Sequence, residues 1–159
     1  MPTPSAEPRD YRICAYLQTL LRTLTASTTY WNTLAGDQVK IAVRALPPVL
    51  PGVAIRPPVF ATDYDAPLPD YGRKVTVKLE IYAQTTGEDE GTTILAVCRL
   101  RQDVIKALES DRGLGQGTDA LVYDLRIQSG EGEWIQAETG AIGCILTVET
   151  DFSVAPGSV

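Results

Sequence analysis

Across residues 72–84, GRKVTVKLEIYAQ, apolar and polar side chains alternate with hardly a break. Val75, Val77, Leu79, Ile81 and Ala83 share one parity; Lys74, Thr76, Lys78, Glu80, Tyr82 and Gln84 share the other. Period-two alternation of this length predicts a strand with one face in a core and the other meeting water or a partner. The closing run GAIGCILTVETDFSV repeats it, setting Ile142, Cys144, Leu146, Val148 and Phe152 against Gly143, Thr147, Glu149 and Asp151. Two shorter alternations predict further strands. In QVKIAVRAL, Val39, Ile41, Val43 and Ala45 oppose Lys40, Ala42 and Arg44; in ALVYDLRIQSG, Leu121, Tyr123, Leu125 and Ile127 share a parity. The short VAIR segment is stopped by Pro57 and Pro58, which confine it to short or edge pairing.

Two segments change to helical spacing. Ile13, Leu17, Leu20, Leu21 and Leu24 form one stripe, with the helix starting near Ser5 or Asp10 and ending in TASTTYWNTLAGD. Tyr30 and Trp31 are expected to fold back over its end. The second helix follows TTGEDEG, where Thr85 with Glu88 fits a capping box and Glu88, Asp89 and Glu90 suit the positive end of the helix dipole. Its expected stripe is Ile94, Val97, Cys98, Val104, Ile105 and Leu108, and SDRGLGQGT ends it. Arg101 falls inside that stripe, where it either carries its head to the rim over an apolar stem or pairs with a carboxylate.

One mixed or antiparallel sheet with both helices on its apolar face buries every stripe at once, so the pattern predicts a two-layer α+β fold. The element order is helix, two or three strands, helix, two strands. Residues 61–72, ATDYDAPLPDYG, are expected to form a long polar loop, either functional or mobile. EGEW is expected as a polar turn or a longer excursion. At 159 residues the chain suits a single domain, with residues 1–8 and 154–159 flexible.

Composition narrows the functional classes. With 44% apolar and 21% charged residues the chain is ordinary globular material. Its net charge of −6 argues against a broad polyanion-binding surface. The absence of histidine removes Ser-His and Cys-His catalysis and imidazole metal sites. Cys14, Cys98 and Cys144 lie in apolar patterns without metal or dithiol spacing, as buried thiols in a reducing compartment do. GLGQG follows a helix and lacks the lysine-serine or lysine-threonine pair of a phosphate loop. Asp63, Asp65 and Asp70 match no calcium loop. MPTPSAEPRD lacks the layout of a signal peptide, and no apolar run reaches the length of a membrane span. The expectation is a protein made in the cytoplasm that is no enzyme and carries no metal or cofactor.

The order of these elements resembles the tail terminator proteins of tailed bacteriophages, the minor tail protein U type. The resemblance rests on YRICAYLQTLLRTL, then LPGVAIRP, a polar aspartate-bearing loop, KVTVKLEIYAQ, a helix after an acidic turn, and the closing AIGCILTVETDFSV. It implies helices packed on a mixed sheet and a homo-oligomer, a six-fold ring. That ring caps the tail tube, stops its polymerisation and offers a surface to the head-tail connector protein, while DNA passes through the lumen without sequence-specific binding. The protein would sit in the tail or neck of the virion, assembled in the host bacterial cytoplasm. The family supplies no catalytic residues.

Under that resemblance three loop groups are candidate contacts: Asp63, Tyr64, Asp65, Asp70 and Tyr71; Glu88, Asp89 and Glu90; and Glu131, Glu133 and Trp134. Lys74, Lys78 and Glu80 on the polar parity are candidates for a surface between copies, because their mixed charge suits one. As plain structure the same residues are solvated loops and, for the acidic trio, a helix cap. Residues 61–72 and LVYDLRIQSGEGEWIQ exceed what the leanest version of the fold needs; they fit ring-to-ring contacts or a neighbouring family of neck proteins. Two alternatives remain: a head-tail connector or tube subunit, and a small acidic ligand-binding domain.

Overall fold

The two longest strands, Tyr71–Gln84 and Ala141–Val154, pair antiparallel from end to end, Tyr71 beside Val154 and Gln84 beside Ala141. The computed structural model describes residues 7–63, 71–85, 89–117, 120–128, 133–137 and 139–154. In chain order its elements are α1 (Arg9–Arg22), a 3-10 turn (Gly36–Gln38), β1 (Val39–Ile41), β2 (Gly52–Ile55), β3 (Val59–Asp63), β4 (Tyr71–Gln84), α2 (Glu90–Ser110), β5 (Asp124–Ile127), β6 (Glu133–Gln136) and β7 (Ala141–Val154). The sheet runs β1-β2-β4-β7-β5, with β3 beside the opening half of β4 and β6 beside the opening of β7. Only β1 and β2 pair in parallel, so among the described residues the sheet is mixed.

One face of this sheet is dry. Val75, Val77, Leu79 and Ile81 of β4 and Cys144, Leu146, Val148 and Phe152 of β7 pack with Ile13, Cys14, Leu17 and Leu21 of α1 and with Val97, Leu100, Val104 and Leu108 of α2. Each large side chain buried here contributes about 1.5–3 kcal/mol relative to exposure. The fold is α+β, with both helices on one face of the sheet.

The helices differ from expectation at their starts. α1 begins at Arg9 behind Pro8, which offers no side-chain cap; Asp10 lies inside the first turn, favoured by the dipole. Ser5 lies outside the described residues. The cap of α2 is Asp89, whose carboxylate accepts from the Gly91 amide at 3.0 Å and the Thr92 hydroxyl at 2.6 Å. Thr85 instead donates to the Gly140 carbonyl at 2.7 Å, tying the end of β4 to the turn before β7. The α2 stripe is also turned. Thr93, Val97, Leu100, Asp103, Val104, Ala107 and Leu108 are buried, Ile94 is exposed, and Cys98 and Ile105 are half-buried. It turns toward Asp103 because that carboxylate takes the Trp31 amide (3.2 Å), the Asn32 amide (2.9 Å) and Asn32 Nδ2 (2.8 Å), pinning the loop after α1 against α2. Tyr30 packs on the core, whereas Trp31 stays exposed under Lys106 Nζ, 4.9 Å from its ring centre. Arg101 is half-buried with Nη2 3.9 Å from Cys98 Sγ.

Five expectations about strands and their connections also change. β1 ends at Ile41, and Val43 is exposed, because the chain leaves the sheet at Ala42. β2 lies between β1 and β4 and is wholly buried, so the prolines after it end the strand without placing it at an edge. Residues 61–63 and 71–72 of the expected loop belong to β3 and β4, and residues 133–134 of the expected polar turn open β6. Tyr123 is exposed despite its parity, since regular pairing starts only at Asp124. At the ends of the described residues, Pro8 precedes α1 and Val154 pairs with Tyr71.

Candidate assembly surface

The face of the sheet away from the helices divides into two halves. Its upper half is covered by the segment between β1 and β2. Leu46 and Leu50 pack on Ala54, Tyr82 and Ala141, joined by Ile135 and Ala137 from the far side. Tyr82 is therefore 4% exposed although it sits on the polar parity. Its ring lies against Gly143, where a Cβ would fall 2.6 Å from Tyr82 Cδ1, so the position opposite the tyrosine requires glycine. Arg56, just after β2, holds the covering segment: its Nη1 donates to the carbonyls of Ala42 (3.1 Å) and Ala45 (3.0 Å), and its Nη2 pairs with Glu80.

Glu80 also accepts from the Tyr82 hydroxyl at 2.7 Å. Burial pushes its carboxyl up, but the Arg56 and Tyr82 hydrogen bonds and the charges of Arg56 and Lys78 outweigh this and hold it below its ordinary value. Burial acts downward on Arg56, and its bond to Glu80 more than offsets that. Tyr82 is pushed up to about 12, by burial first and then by Glu80. Glu80 thus spends its charge inside the chain.

Among the described residues the lower half is uncovered and mixed in charge. Lys74 lies beside Ala61 on one side and Asp151 on the other; Lys78 lies beside Thr147; both lysines are exposed. Beyond them Arg126 pairs with Asp151, and Gln128 Nε2 donates to Glu149 at 2.7 Å. Arg112 grips Asp124 with two hydrogen bonds of 2.8 and 2.9 Å, which hold the aspartate below its usual range. An open depression of about 190 Å³ beside β5 is lined by Glu109, Arg112, Leu125, Arg126 and Ile127, and both of its arginines are already bridged to carboxylates.

The remaining candidates are scattered. Asp63 closes β3 opposite Gly72, and Tyr71 opens β4. Asp89 and Glu90 stand at the start of α2, both exposed. Glu133 and Trp134 open β6; Trp134 faces Cys144, which puts it on the helix side of the sheet edge, and it is exposed. Tyr64, Asp65, Asp70, Glu88 and Glu131 lie outside the described residues. The structure therefore brings Lys74 and Lys78 together with Asp124, Glu149 and Asp151, a grouping that the sequence reading missed. It also missed Val59 and Phe60 on β3, which are 71% and 55% exposed. Arg73 lies 5.8 Å from the Phe60 ring centre. The signal was present, since VFAT is a β-prone, uncharged run directly after two prolines.

Among the described residues no group of three or more histidine, cysteine, aspartate or glutamate side chains is placed to hold a metal ion. No helix there is long and apolar enough to cross a membrane. No family model matches the chain, and no curated protein matches it. Among solved structures it is similar to a chain in the virion of a native gene transfer agent particle. The TM-score is 0.57, at 12% identity, over 89% of this chain and 95% of that one. At that identity, what the two chains share is the fold.

Proposed function

We propose that this chain is a structural protein of a phage-type virion, a tail terminator that works as a six-membered ring on the end of the tail tube. The observation that carries this reading is the fold likeness to a virion chain, which spans nearly the full length of both proteins. One face of the ring matches the tube end, and the other does not template another tube ring, so polymerisation stops. The free face receives the head-tail connector protein, and DNA passes through the lumen. The work is steric and interfacial, without catalysis. A net charge of −6 suits it, since clustered lysine or arginine along a channel would retain the passing polyanion.

Electron microscopy of the purified protein mixed with tail-tube particles tests the proposal. The expected outcome is rings, free or seated on tube ends, and tubes that no longer elongate. Protein that stays monomeric and never decorates a tube end would sink the assignment. Long polymers of this protein alone would mark a tube subunit instead.

A further inference from the structure

Among the described residues, the sheet edge is capped by α1 at its upper end on one side and has no strand partner on either side lower down. At the upper level β1 is the edge, and the Val39 carbonyl is capped by Gln18 Nε2 at 3.1 Å and Arg22 Nη2 at 3.0 Å from α1. At the lower level, among the described residues, β3 pairs only with β4, and β5 pairs only with β7. These two edges lie at the same height. β3 runs beside residues 72–76 of β4, while β5 runs beside residues 148–151 of β7, which themselves face residues 74–77 of β4. Their senses are also opposed, because three antiparallel pairings separate β3 from β5.

β3 is an unusual strand to leave at an edge. Exposed edges are commonly blunted by charge, yet four of the five residues of β3 carry none, Asp63 at its end being the exception, and Val59 and Phe60 are largely exposed. We propose that the open edge of β3 is covered by β5 of a second copy of this chain, an antiparallel pairing that continues the sheet from subunit to subunit. Carrying the residue levels straight across sets Val59 against Arg126, Phe60 against Leu125 and Ala61 against Asp124 of the next copy. Phe60 and Leu125 share the helix side of the sheet, so the exposed ring gains an apolar neighbour. On the other side the aliphatic stem of Arg126 covers Val59. Charge agrees in balance: the β3 side presents Lys74 and Lys78, and on the β5 side three carboxylates, Asp124, Glu149 and Asp151, outnumber Arg112 and Arg126. The two arginines bridge Asp124 and Asp151, whereas Glu149 accepts from the neutral Gln128. Two different edges of one chain meet head to tail, the kind of contact that closes into a ring when its rotation closes. This inference rests on the ring reading and adds the surface that builds the ring.

The test uses the full-length chain with Cys98→Ser to remove the half-buried thiol. Ala61→Cys and Asp124→Cys are placed in separate proteins, then mixed under mild oxidation, free and on tube ends. A cross-linked dimer that forms only in the mixture is expected, and a chain carrying both changes should yield a ladder up to the ring. Val59→Lys should abolish rings, with circular dichroism and Tm showing that the variant is folded; Leu95→Lys, on the exposed face of α2, should not. Rings that survive Val59→Lys without the mixed cross-link would overturn the pairing and leave the ring standing. Cross-linking by Ala61→Cys alone would show β3 meeting its own copy and would also overturn it. Open filaments joined through the mixed cross-link would support the pairing and overturn the closed ring. A chain monomeric both in solution and on tube ends would overturn both.

Discussion

At the scale of single residues, Arg56 joins two parts of the chain that the sequence keeps apart. It ties a segment without regular structure to the sheet through two carbonyls and neutralises Glu80 beneath it. Arg56→Ala removes those ties and leaves a largely buried carboxylate beside Tyr82. The expected loss is about 2–3 kcal/mol, short of a fully buried pair because both groups keep some water; urea denaturation measures it. Glu80 also has a pH signature. Its carboxyl is held below the ordinary value of 4.5 in the fold, so its contribution is present above that value and fades as pH falls through the lowered one. Glu80→Gln should flatten that part of the acid limb. Nothing local in the sequence announces this site. Glu80 and Tyr82 read as solvent-facing by parity, and the cover that buries Tyr82 comes from a proline-rich stretch with no period to detect.

At the scale of elements, legibility followed length. β4 and β7 each carry long alternation, and their buried parity in the structure is the one the pattern predicts. β3 and β6 are four or five residues long and pair with only one neighbour among the described residues, so their side chains have little reason to alternate. β1 shows the opposite failure: its alternation runs on through Val43 and Ala45, but the backbone leaves to cover Tyr82. The helices were legible in kind; α1 buries the expected stripe of Ile13, Leu17, Leu21 and Leu24, with Leu20 packed against it, whereas α2 is turned in phase. Apolar count favoured a stripe through Ile94 and Ile105, whereas Asp103, a buried polar anchor that hydropathy scores against burial, marks the side facing the core. Two substitutions separate the alternatives. Leu100→Ala should cost about 3 kcal/mol, as a truncated core leucine does, and Ile94→Ala well under about 1 kcal/mol. Chemical denaturation of both variants reads the difference. The cap is tested separately: Asp89→Ala should speed amide exchange at Gly91 and Thr92, and Thr85→Ala should leave those amides unchanged.

At the scale of the whole molecule, groups in both layers share an alkaline limit. Tyr16 on α1 donates to Asp111 just past α2, and that bond, with burial, pushes its hydroxyl up to about 12. Tyr82, on the opposite face of the sheet, is likewise raised to about 12 by burial and Glu80. Between them Cys14 and Cys144 are raised to about 11, chiefly by burial, with Arg101 drawing Cys144 part of the way back. Each group keeps its proton longer in the folded chain than in the unfolded one. Their stabilisation is therefore complete below the unfolded values of 9.0 and 10.0, and it disappears as pH rises through about 11 and then about 12. Thermal melts at increasing pH should show Tm falling across that window, and Tyr82→Phe should remove part of the slope. Growing negative charge on an already acidic chain pulls in the same direction, and salt distinguishes the two. About 0.5 M sodium chloride screens long-range repulsion between exposed groups but leaves the cost of ionising a buried hydroxyl nearly untouched. A fall in Tm that persists in high salt belongs to these proton-holding groups, and the part of it that Tyr82→Phe removes belongs to the covered half of the sheet.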